Sequence, residues 1–172
     1  MDTIEILVVA PTLMYSFVGV LAAITLMRRR SASEETAPGE LPSLTVVIAA
    51  RNEEEDLPSC LAAMRRQDYP FESYSVVVVD DHSEDNTAAI VRDASESDDR
   101  IHLLLASLEN EDPGKAPALA LGVEKSTSPV VLTTDADCTP PHNWARSIAE
   151  QLYASGADCL GGPTIVGSSG LL

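Results

Sequence analysis

The chain has 172 residues, 45% of them apolar, which is enough for one globular domain around a single core. Eleven Lys and Arg stand against 27 Asp and Glu, a formal charge of −16. That field opposes polyanions and sets nucleic acid aside as a partner; it reads as a solvated acidic surface, and it makes a bound cation more necessary for any phosphorylated substrate.

In chain order, the first element is an uncharged apolar run, Ile6 to Met27. A bilayer core of ~30 Å needs roughly 20 helical residues, so the run predicts a transmembrane helix over 4–27. Asp2 and Glu5 precede it, and Arg28-Arg29-Arg30 follow at once. The positive-inside rule then places the arginines and everything after them in the cytoplasm. A cleaved signal peptide would carry a basic start and a shorter apolar core. The expected localisation is therefore the cell membrane, with a single pass and a cytoplasmic domain. Residues 28–42, with Pro38, Gly39 and Pro42, read as a basic flank and linker, and 43–172 as the soluble domain.

Within that domain, strand-like and helix-like runs alternate. Leu44 to Ala50 is apolar and β-branched, as a strand buried on both faces requires. Leu57, Leu61 and Met64 lie at helical spacing in a helix predicted over 57–67. A second strand is predicted over 75–79. A helix over 87–95 follows, with Asp85 as its cap. A strand over 101–105, a helix over 116–125 and a strand over 130–134 come next. A helix over 144–154 is opened by Pro140-Pro141 and stopped by Gly156, and 158–166 suggests a further strand. The fold class is therefore α/β: a Rossmann-like, mostly parallel sheet with helices on both faces, preceded by one transmembrane helix.

Ligands of such sheets bind outside the carboxyl ends of the strands. The polar groups of this chain gather there. Arg51-Asn52-Glu53 follows the first strand, Asp80-Asp81 the second, and Asp135-Ala136-Asp137 the fourth. Asp135 and Asp137, one residue apart at a strand exit, can share a hard divalent cation whose shell substrate phosphates complete. Cys60, Cys138 and Cys159 have no pairing pattern and read as reduced thiols, with Cys138 a small apolar filler. His82, His102 and His142 have no partner spacing and read as non-catalytic, and Trp144 reads as a core anchor.

Four segments, LTVVIAARNEEEDLPSCLAAM, VVVVDDHSEDNT, GKAPALALGV and VVLTTDADC, resemble family-2 glycosyltransferases of the GT-A fold in order and spacing, over roughly 42–166. The resemblance implies a nucleotide-sugar donor (UDP- or GDP-sugar), a divalent metal (Mg²⁺ or Mn²⁺), inversion at the anomeric carbon, and synthesis of polysaccharide or glycolipid at a membrane. It implies that Ala49, Ala50 and Arg51 line the base and ribose through their backbone, and that Glu53 sits at the nucleotide pocket. Asp81 would contact the base, Asp80 would brace that turn, and Lys115 would lie near the nucleotide. Asp137 would be the more direct metal ligand, with Asp135 on the ribose or a metal-bound water. Ala120 stands where family members commonly carry Asn. The family's general-base carboxylate and acceptor-side motifs belong to a region beyond Leu172, so no catalytic base is assigned. That keeps a second expectation open, a membrane-anchored nucleotide-binding module without turnover. A third, a phospho-acceptor receiver, needs the acidic pair after the first strand, and here the complete unit 44–67 precedes it.

Overall fold

The computed structural model describes residues 41–108 and 112–162. The predicted membrane span, most of the linker and residues 163–166 of the suggested last strand lie outside the described residues. Among the described residues, no helix is long and apolar enough to cross a membrane.

The alternation of the sequence becomes β1 (Leu44–Ala50), α1 (Leu57–Arg65), β2 (Tyr74–Asp80), α2 (Thr87–Ser97), β3 (Ile101–Leu105), α3 (Lys115–Lys125), β4 (Val130–Asp135) and α4 (Trp144–Ser155). The four strands form one parallel sheet in the order β3-β2-β1-β4. The chain steps outward from β1 to β3 and then returns to the other side of β1. Strand order therefore reverses between β1 and β4, which is where such sheets open a crevice at their carboxyl ends.

Burial explains the arrangement. In β1, Leu44, Val46, Val47 and Ile48 are all fully buried, and burying each such side chain is worth roughly 1.5–3 kcal/mol. Leu44, Val46, Ile48 and Ala50 share one core with α1, α2 and α4. Val47 shares the other with Val79 and with Ala118 and Leu121 of α3. Helices thus cover both faces, three on one and α3 on the other. Gly122 permits the close approach of α3: a Cβ there would run into Val47 Cγ1 and come within 3.0 Å of Val79 Cγ2.

Most element ends fall within two residues of expectation, and the end of α1 has a physical reason. Helix α1 ends at Arg65 rather than at Gln67, because the Gln67 side chain ties the helix end to the start of α4. Its Nε2 donates to Ala63 O (3.2 Å) and Pro141 O (2.9 Å), and its Oε1 accepts the Ala145 N–H (3.0 Å). Residues 158–162 run irregularly rather than as the beginning of a strand. Trp144 packs against the larger core, as an anchor should.

Candidate functional site

Register puts the acidic strand exits side by side. Ala49 of β1 pairs with Asp135 of β4, and Ala50 pairs with Asp80 of β2. The three exits therefore open on one side of the molecule. They meet in a cleft of about 260 Å³ lined by Ala49, Ala50, Arg51, Glu53, Asp81, Lys115, Asp135, Ala136 and Asp137. Every site residue singled out in the sequence except Asp80 lines it. Asp80 is buried behind the wall, its Oδ2 facing the Ser83 N–H at 3.4 Å across the turn that follows β2. Its Oδ1 has no hydrogen-bond partner among the described residues.

The loops that carry the cleft are fastened to one another. Asn52, at φ 55°, takes the Glu84 N–H on its Oδ1 (2.8 Å) and gives its own N–H to Ser83 Oγ (3.0 Å). The Glu53 N–H donates to Thr87 Oγ1 (2.8 Å), whose hydroxyl donates in turn to Asp85 Oδ1. Glu54 completes the joint: its N–H reaches Asp85 Oδ2 (3.1 Å), and its Oε2 accepts from the Asn86 backbone (3.1 Å) and side chain (2.8 Å). Asp85 also takes the Thr87 N–H at 2.9 Å, but the N-cap of α2 is Asn86, with no side-chain cap bond, so the cap expected at Asp85 falls one residue later.

Asp81 is held from a distance. Its carboxylate accepts the Gly114 N–H on both oxygens, at 3.1 and 2.9 Å, and His82 Nδ1 lies 3.1 Å from its Oδ1. Gly114 has φ +149°, a conformation that side chains rarely adopt, and it aims its N–H at Asp81 immediately before α3 begins. His82 thus has a partner that spacing did not reveal.

The floor of the cleft is acidic. Lys115, the first residue of α3, places Nζ 2.7 Å from Asp135 Oδ1, and that bond holds the ammonium above its ordinary pKa. Glu53 is held above its ordinary value first by burial, then by Asp137, Asp56 and Asp135. Beneath the triplet, Cys60 Sγ lies 3.7 Å from the Asp135 carbonyl, and burial pushes its thiol up to about 12. Cys138 Sγ lies 3.6 Å from Asp137 Oδ1, so it touches the acid rather than merely filling space.

A divalent cation fits this donor set. The side-chain donors are carboxylate oxygens, which suit Mg²⁺ and Mn²⁺, and their mutual repulsion is what a cation would relieve. Among the described residues, no group of three or more His, Cys, Asp or Glu is arranged to hold a metal alone. Such carboxylates would supply part of a shell, with phosphate and water completing it.

Comparison with known proteins bears on this geometry. The sequence model described as Glycosyl transferase family 2 matches residues 45–171. Glycosyltransferase AglE of Haloferax volcanii is 34% identical over 122 residues, 71% of this chain and 39% of that protein. Undecaprenyl-phosphate 4-deoxy-4-formamido-L-arabinose transferase of Pectobacterium carotovorum is 35% identical over 127 residues, covering 71% of this chain and 37% of that protein. Among solved structures, mannosyltransferase PcManGT from Pyrobaculum calidifontis, in complex with GDP-Man and Mn²⁺, superposes with a TM-score of 0.60 at 28% identity, over 80% of this chain and 42% of that one. The chain therefore spans about two-fifths of the length of these relatives.

Proposed function

Because the chain belongs to glycosyl transferase family 2, we propose that its cleft binds a nucleotide-sugar and a divalent cation as the donor side of a sugar transfer to an acceptor oxygen. The observation that carries this reading is the convergence of the strand exits on one cleft, with Asp81, Lys115, Asp135 and Asp137 in its lining. PcManGT, similar in fold and sequence, is complexed with GDP-Man and Mn²⁺, which favours the same ligand classes here.

In this reading the backbone of Ala49, Ala50 and Arg51 lines the nucleoside, and Asp81 accepts a hydrogen bond from the base. Its carboxylate is already oriented by the Gly114 N–H. Asp137 and Asp135 hold the cation, Asp137 as the more direct ligand. The cation supplies charge neutralisation at the diphosphate as the nucleoside diphosphate departs. Lys115 adds a positive charge beside the phosphates, and Asp80 fixes the turn that presents Asp81. The acceptor oxygen attacks the anomeric carbon with inversion. The membrane span expected from the sequence and its flanking arginines support a reaction at the cytoplasmic face of the cell membrane, in polysaccharide or glycolipid synthesis. The name of one relative, an undecaprenyl-phosphate transferase, makes a polyprenyl phosphate a reasonable first acceptor to assay.

The test is calorimetric titration of the full chain in detergent with UDP- and GDP-sugars, with and without Mn²⁺. Binding should require the metal, and Asp137→Ala should weaken it by roughly tenfold or more, the loss of one charged metal contact. Binding indifferent to both the metal and the substitution would overturn the reading.

A further inference from the structure

The cleft contains a cation of its own. Four carboxylates (Glu53, Asp81, Asp135 and Asp137) and two basic side chains (Arg51 and Lys115) line it. The two bases are not equivalent. Lys115 is bonded to Asp135 at 2.7 Å, whereas Arg51 makes no ion pair with a cleft acid. The ammonium thus occupies one oxygen, Oδ1, of a carboxylate that the donor-site reading gives to the metal. A lysine and a divalent ion repel one another and cannot both sit on one carboxylate oxygen.

We propose that Lys115 is a stand-in cation: its ammonium neutralises Asp135 while the cleft is empty, yields that carboxylate to the incoming metal–nucleoside diphosphate complex, and then turns to the diphosphate. The proposal rests on the donor-site reading above. Three observations support the exchange. The root of Lys115 is fixed, because the preceding Gly114 N–H is clasped by Asp81. Its end is free to swing, since the Lys115 and Asp135 side chains are 62% and 53% exposed. The flexible four-carbon stem carries a compact charge that rotates between partners. An ion pair this exposed is weak, so the metal displaces it at small cost. Acids still crowd the cleft with Lys115 in place: Glu53 is held above its ordinary value first by burial and then by Asp137, Asp56 and Asp135.

The consequence is a pair of effects of opposite sign. Without nucleotide, Lys115→Met should bind Mn²⁺ about two- to fivefold more tightly than wild type, because the competitor is gone. With Mn²⁺ present, the same variant should bind GDP or UDP roughly tenfold or more weakly, having lost a charged contact to phosphate. Arg51→Met removes an equal charge from the same cleft without freeing a carboxylate, so it should change Mn²⁺ affinity less. The measurement is free Mn²⁺ by electron paramagnetic resonance on the full chain in detergent, followed by calorimetry with the nucleoside diphosphates. Unchanged or weaker Mn²⁺ binding by Lys115→Met, or a gain no larger than that of Arg51→Met, would overturn the stand-in role. Wild-type protein that binds Mn²⁺ but no nucleoside diphosphate would overturn the donor-site reading instead.

Discussion

At the scale of single residues, the most consequential side chain outside the cleft is Thr87. It is fully buried at the start of α2, and its hydroxyl links two loops by accepting from the Glu53 N–H and donating to Asp85. Glu53 lines the cleft, so a hydroxyl on one strand exit sets the backbone of its neighbour. Thr87→Val keeps the shape and deletes the oxygen, leaving the part-buried Glu53 N–H without its acceptor, at about 1–3 kcal/mol. Thr87→Ser restores the oxygen. If Thr87 positions the cleft, the valine variant should lose nucleotide affinity as well as stability, and the serine variant should recover both. A valine variant that melts earlier yet binds nucleotide as wild type does would reduce Thr87 to a structural role.

At the scale of elements, α3 couples packing to the site. Gly122 lets it lie close against Val47 and Val79, and Lys115 stands at its first position. Gly122→Ala gains up to ~1 kcal/mol of helix propensity but forces a methyl into Val47, an overpacking of typically 1–3 kcal/mol. The expected net is a loss of about 1–2 kcal/mol, since the contact with Val47 lies deep in the sheet. Val47→Ala should rescue part of it, so the double variant should be more stable than the sum of the single changes, as thermal melts would show. A Gly122→Ala variant at or above wild-type stability would mean that α3 moves off the sheet freely.

Elements were the most legible level in the sequence. Runs such as VVVV before Asp80 and VVLTT before Asp135 are strands ended by acids, the first mostly buried and the second, last in the strand order, with only Val130 and Leu132 buried. Helix limits followed to within a few residues. The candidate acids were legible because they stand at or just past strand exits, whereas Lys115, the first residue of α3, was expected only from the family resemblance. What escaped was pairing between loops. The Gly114 N–H on Asp81, the His82 contact and the joint between residues 52–54 and 83–87 join positions that no periodicity relates. The placements of Asp80, buried behind the cleft wall at the end of β2, and of Asp81, in the lining just past it, are likewise left open by spacing alone.

At the scale of the whole molecule, the −16 charge is a field rather than a set of contacts, and it predicts how the fold responds to salt. Few of the acids are neutralised: among the described residues, Lys and Arg side chains pair with Asp68, Asp98, Asp135 and Glu150, and Lys125 also has a partner. The rest repel one another across the surface, a cost present in the compact state and diluted in the unfolded chain. Screening reduces it, because the Debye length falls from ~30 Å at about 0.01 M salt to ~3 Å at about 1 M. Two effects therefore compete. Salt weakens the few attractive pairs, such as Lys115 with Asp135, each worth at most about 1 kcal/mol when exposed. It also relieves the far more numerous repulsions. The repulsive sum should win, so the melting temperature should rise with NaCl, by about 2–4 °C for each kcal/mol gained at this chain length. Choline chloride should act as NaCl does, since screening depends on ionic strength and not on the cation. A melting temperature that falls with both salts would show that attractive pairs, rather than the surplus of acids, dominate the energetics of this surface.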